Sequence, residues 1–208
     1  MNRMVITAVV LAGVLAGIAA AVVLKERNNA PPALERATLF ATPRPLADLA
    51  LVDHAGQAFD LGRLRGRWTL LFFGFTHCPD VCPMTLAVLA DVRRALADLA
   101  PALRPVVVLV TVDPMRDTPE VLARYVRHFD PEFVGATGSL NAIAALTREL
   151  GVAVMVAAPA ADGSYTVDHS AAVFVMNPAA EYTAVFGTPH DADTIARDFR
   201  RIVAARTP

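Results

Sequence analysis

Cys78 and Cys82 are the only cysteines among 208 residues, and three positions separate them. If this segment is helical, side chains four apart share a face with about 5 to 6 Å between Cβ atoms, so two thiolates can converge on one ion. Pro79 and Pro83 flank the pair. A proline does not suit a helix interior, so Pro83 marks a first turn and leaves Cys82 near the cap. A helix amino terminus favours negative charge, so both thiols are expected to ionise more readily than a free cysteine. That would suit a metal ligand and a redox nucleophile equally. Two plainer readings compete, buried structural cysteines and a structural disulfide. The polar, proline-rich setting argues against the first, and a bridge over so short a loop adds little stability.

A third donor comes from far along the chain. His169 precedes an apolar stretch at 171–176. If that stretch is a strand antiparallel to the one ending at Phe75, His169 lies at the same sheet edge as the cysteines. Asp113, which follows a second parallel strand, arrives at that edge too. His54, His128 and His190 read as ordinary surface or core histidines. Two soft thiolates and one imidazole suit copper(I), which accepts low coordination, whereas zinc normally takes four ligands. His77 or Asp113 could complete a fourth position for zinc or copper(II), so the donor types rank these metals without excluding any.

The elements that must position these residues read as mixed α/β. Residues 68–75 and 106–112 are continuous apolar runs suited to strands buried on both faces. Between them Val88, Leu89, Val92, Leu96 and Leu99 recur at helical spacing, and strand–helix–strand implies a parallel pair. Thr118-Pro119 starts a helix that runs to about Phe129. A strand at 133–136, a helix at 139–150 closed by Gly151, and a strand at 152–157 follow. Segments 171–176 and 181–186 flank Asn177-Pro178 as a hairpin, and a last helix covers 191–205.

The apolar fraction is high, at 55%. Part of it lies in residues 5–24, an uncharged run about as long as a membrane-spanning helix requires. Ala19-Ala20-Ala21 could serve as a signal-peptide cleavage site, but the apolar run continues to Leu24, which favours a retained anchor. The expected organisation is a transmembrane anchor or uncleaved signal at 1–24, a proline-bearing tether at 25–45 and one domain at 46–208. Arg3 before the span weakly favours a cytoplasmic amino end, which in a bacterium exports the domain. The net charge is -1 with no basic stripe, so a nucleic-acid partner is not expected.

Three motifs in order carry a resemblance. Phe75-Thr76-His77-Cys78-Pro79-Asp80-Val81-Cys82-Pro83, Asp113-Pro114-Met115-Arg116-Asp117-Thr118-Pro119 and Val167-Asp168-His169-Ser170 resemble the Sco (SenC) family of cytochrome oxidase assembly proteins. The resemblance extends over about 46–205. It implies a thioredoxin-like domain, a central mixed sheet flanked by helices, behind a single amino-terminal transmembrane helix. It also implies copper on Cys78, Cys82 and His169, delivered to the dinuclear copper site of cytochrome c oxidase subunit II. Asp113 falls on the family's aspartate, thought to aid metal transfer or partner recognition, although a loop-capping carboxylate would look the same. A copper donor and a thiol reductant would be further partners, and the domain would face the periplasm from the inner membrane.

No enzyme is expected, beyond an accessory thiol-disulfide activity. The rival is a thiol-disulfide oxidoreductase or redox sensor. Such enzymes use C-x-x-C and a proline before the strand, where this chain has C-x-x-x-C and His169-Ser170. A Cys78–Cys82 disulfide would remove both thiolates and couple metal loading to redox state.

Overall fold

The computed structural model describes residues 11–21 and 32–206. The chain divides into two compact units, Met1–Ala33 and Leu34–Pro208. In the first, residues 11–21 are helical. Among the described residues no helix is long and apolar enough to cross a membrane. The rest of the span expected at 1–24, and the first part of the tether, lie outside the described residues.

The second unit is built on two parallel neighbours, β4 (Thr69–Gly74) and β5 (Val106–Thr111). β4 is buried throughout, and β5 is buried beyond its first residue. This is why both read as continuous apolar runs rather than alternating ones. β6 (Val134–Thr137) extends the parallel set beyond β5. On the other side the hairpin of β9 (Val173–Met176) and β10 (Glu181–Phe186) joins β4 through antiparallel β9. With β1 (Ala37–Pro45), β2 (Leu51–Asp53) and β3 (Ala58–Phe59), the order across the sheet is β1-β10-β9-β4-β5-β6-β2-β3. The expected mixed sheet is present.

Local signals account for the helices that flank it. After the short α1 (Leu61–Leu64), α2 (Val81–Ala95) follows β4 and buries Cys82, Thr85, Leu86 and Leu89. It begins earlier than its apolar periodicity suggests, with Pro83 in its first turn. Thr118 caps α3 (Pro119–Phe129), accepting from the Val121 amide at 3.4 Å. Ser139 does the same for α4 (Leu140–Leu150), and Gly151 ends it in the left-handed region at φ 71°. α5 (Ala192–Arg206) packs against α2 and sets Phe199 edge-on to Trp68.

One expectation needs correction. Residues 37–45, expected in the tether, form edge strand β1, paired antiparallel with β10, with Phe40 edge-on to Tyr182 at 5.4 Å. Pro43 and Pro45 are tolerated because the strand is at the edge and its register shifts between Leu39 and Arg44. The strand expected at 152–157 is β7 (Val154–Val156), and it does not join the main sheet. It pairs with β8 (Val167–His169) as a separate two-stranded ribbon, and β8 was not expected as a strand.

Candidate metal centre

Cys78 occupies the turn from β4 into α2, and Cys82 the first turn of that helix. The Thr76 amide and hydroxyl donate to the Asp117 carboxylate at 3.0 and 2.5 Å, and Thr111 donates to the same group at 2.6 Å. Asp117 is fully buried and ties the start of the cysteine loop to the end of β5. From the start of α2 the Cys82 amide donates back to Cys78 Sγ at 3.4 Å. Cys78 is half-buried and Cys82 buried, and both are free thiols. Gly74 leaves room for Cys82, because a Cβ there would stand 3.0 Å from its Sγ.

His169 ends β8 and reaches the same place, because β9 runs antiparallel to β4 and begins at that rim. Its Nε2 lies 3.4 Å from Cys82 Sγ, and its Nδ1 lies 3.1 Å from the Ser170 carbonyl. A carbonyl can only accept, so Nδ1 carries the proton and the Nε2 lone pair faces the thiol. The ligand atoms of Cys78, Cys82 and His169 all lie within 4.8 Å of one another, and these residues could hold a metal ion. Second partners of this kind fix the tautomer of a ligating histidine.

Burial favours the neutral forms of Cys82 and His169. Burial pushes the Cys82 thiol far above its ordinary range, although a hydrogen bond to the Phe75 backbone pulls the other way. For Cys82 this corrects the expectation of easier ionisation, since desolvation outweighs the helix terminus. Burial also lowers the His169 pKa against the opposing effects of the Ser170 carbonyl and Asp168, keeping the imidazole neutral and ligand-ready.

The remaining candidates stand apart from this trio. Asp113 reaches the rim but is only 4% exposed, and its two carboxylate oxygens accept from Tyr165 Oη and Arg116 Nε. His77 is exposed and hydrogen-bonded to Thr76 Oγ1 at 3.1 Å, with Asp117 beyond at 3.9 Å. Neither belongs to the close cluster. Asp117, Arg116 and Tyr165 were not singled out from sequence. The first two lie in the second motif without an obvious role, and Tyr165 is an isolated aromatic after an alanine-rich stretch.

A concavity of about 250 Å³ lined by Phe75, Cys78, Asp80, Val81 and His169 opens onto Cys78 and His169, with Cys82 buried behind them. A larger one of about 550 Å³, lined by Arg67, Arg93, Arg94 and Arg104, contains none of the candidate ligands. The donor chemistry therefore locates the site better than cavity size does.

A family profile described as SCO1/SenC matches residues 42–204. The Protein SCO2 homolog, mitochondrial, of Bos taurus is 38% identical over 98% of this chain and 76% of its own length. The human SCO2 homolog is 42% identical, and this chain spans 59% of its length. Among solved structures, Arabidopsis thaliana ScoI with copper bound is 33% identical at TM-score 0.71, covering 76% of this chain and 98% of that one.

Proposed function

Because the chain belongs to the SCO1/SenC family, we propose that it binds copper(I) through Cys78, Cys82 and His169 and carries it to the dinuclear copper site of cytochrome c oxidase subunit II. The observation that carries this reading is the approach of two sulfur atoms and one free imidazole lone pair to within 4.8 Å of one another. That set is soft and three-membered, which suits copper(I) and leaves an opening for a receiving ligand. The relative with copper bound supports the choice of metal. A copper donor supplies the site. The apolar run at 5–24 supports an inner-membrane anchor with the domain on the periplasmic side.

The redox state of the pair would gate loading. Closing a Cys78–Cys82 disulfide by exchange with a partner disulfide passes two electrons and two protons to that partner and abolishes both thiolate ligands, and a thiol reductant restores them. Proximity of the two sulfurs supports this off state. The rival reading, a thiol-disulfide oxidoreductase or redox sensor, needs a readily ionised nucleophile, and the raised Cys82 pKa weighs against that residue in the role.

The test is copper(I) titration of the reduced full chain beside Cys78→Ala, Cys82→Ala and His169→Ala. Stoichiometric binding is expected in the parent, with clear weakening in each variant; equal affinity in all four would sink the proposal. In cells, deletion is expected to impair oxidase assembly at limiting copper. Catalytic turnover of disulfide substrates would favour the rival.

A further inference from the structure

β7 and β8 form a ribbon of their own, so the eight-stranded sheet brings His169 to the rim through β9 but no ladder bond of that sheet holds it there. Residues 170–172 separate it from β9, and its ring meets Phe72 and Phe75 only edge-on, at about 6 Å between centroids. β7 contributes little burial, since Val154, Met155 and Val156 are all exposed. On β8 the buried Val167 is one attachment. Another is polar and lies two residues earlier.

There Tyr165 Oη donates to Asp113 Oδ1 at 2.8 Å, and Arg116 Nε donates to Asp113 Oδ2. Arg116 Nη1 returns to the ribbon, donating to the Tyr165 carbonyl at 3.1 Å. Its guanidinium also lies over the Tyr165 ring, 3.7 Å from the centroid. Three residues therefore make a closed set of contacts between the loop after β5 and the approach to β8. Bonds to an ionised carboxylate are about twice as strong as neutral ones, and a stacked guanidinium adds to them.

We propose that Asp113, Arg116 and Tyr165 form a lock that holds the β7–β8 ribbon, and with it His169, against the cysteine pair. Closed, the lock completes the three-donor site; open, it lets the imidazole draw away and leaves copper on two sulfurs, ready to pass on. The proposal rests on the reading of Cys78, Cys82 and His169 as the copper site. It makes Asp113 a positioning residue whose oxygens are engaged by protein donors. The path is short, because an extended strand advances about 3.3 Å per residue. Release at Tyr165 acts four residues from His169.

Tyr165→Phe deletes only the hydroxyl. In reduced full-length chain, competition with a copper(I) chelator is expected to show affinity falling by up to about 10- to 100-fold, as for other partners that orient a ligating histidine. X-ray absorption should show loss of the nitrogen scatterer from part of the copper. In a His169→Ala background the same change should cost nothing further. An undiminished affinity and nitrogen signal in Tyr165→Phe, or an equal loss with and without His169, would overturn the lock. If His169→Ala alone binds copper like the parent, the site reading fails instead. Amide hydrogen exchange in the metal-free chain then decides the lock separately, with faster exchange at 154–156 and 167–169 expected in Tyr165→Phe and unchanged exchange counting against it. Arg116→Lys, which keeps the charge but loses the planar fork, serves should Tyr165→Phe fold poorly.

Discussion

Cys82 combines a soft donor with an environment that opposes its ionisation. Its sulfur is buried, and that burial keeps the proton on the thiol. Below its raised pKa the thiol must lose that proton to bind a metal, whereas His169 is already neutral and contributes none near neutral pH. Copper affinity should therefore rise with pH, by about tenfold per unit for each proton expelled. Chelator competition at pH 6, 7 and 8 measures the slope, and an affinity independent of pH would contradict the account. Gly74 sets the clearance on the other side of this sulfur. An added Cβ would lie 3.0 Å from Cys82 Sγ, 3.0 Å from Phe72 Cε1 and 3.1 Å from Leu109 Cδ1. Gly74→Ala should lower stability by about 1–3 kcal/mol, the usual range for overpacking, and weaken copper binding. Denaturant unfolding and titration would show the two effects, and normal values for both would mean that the neighbours yield freely.

At the level of elements, β1 is held by a residue from the far end of the chain. Asp198 on α5 has a fully buried carboxylate that accepts from the amides of Glu35, Arg36 and Ala37 at 2.8–3.0 Å. Burial alone would raise its pKa, yet the Ala37, Arg36 and Glu35 amides, aided by the Arg201 charge, hold it below the ordinary carboxylate value. A depressed carboxylate contributes stability that is complete above the unfolded pKa of about 3.9 and is lost as pH falls through the folded one. Asp198→Asn should therefore cost about 1–3 kcal/mol at pH 7, and the gap to the parent should close in acid. Parallel unfolding curves at pH 7 and below pH 3 test this, and a gap that persists in acid would assign the effect to shape instead of charge. Elements with local signals were legible: Thr118-Pro119, Ser139 and Gly151 each mark a helix end through contacts within a turn. β1 was not, because its pairing with β10 and its tie to Asp198 are long-range, while Pro43 and Pro45 resemble a tether.

Across the whole molecule, the site joins parts of the chain that are remote in sequence: residues 78–82 after β4, and 169 at the end of β8. A metal bound by all three bridges the main sheet and the ribbon only in the folded state. Copper(I) at a hundred times its dissociation constant should add about 2.7 kcal/mol, raising Tm by several degrees. A chelator should reverse the rise, and His169→Ala should reduce it; a Tm indifferent to copper would mean that the ion does not bridge these parts. The amino-acid sequence by itself determined the donor types, the parallel strand–helix–strand around the cysteines and the turn at Asn177-Pro178, because spacing, periodicity and capping act over a few residues. It also placed His169 at the correct rim, since strand direction follows from connectivity. Tertiary structure alone decided that Cys82 is buried enough to resist ionisation, that residues 37–45 complete the sheet, and that β8 leaves it for a separate ribbon. It also engaged both oxygens of Asp113 with Arg116 and Tyr165. The physical reason is common to these: desolvation, edge pairing and buried ion pairs depend on which distant segments meet, and one-dimensional spacing does not encode that directly.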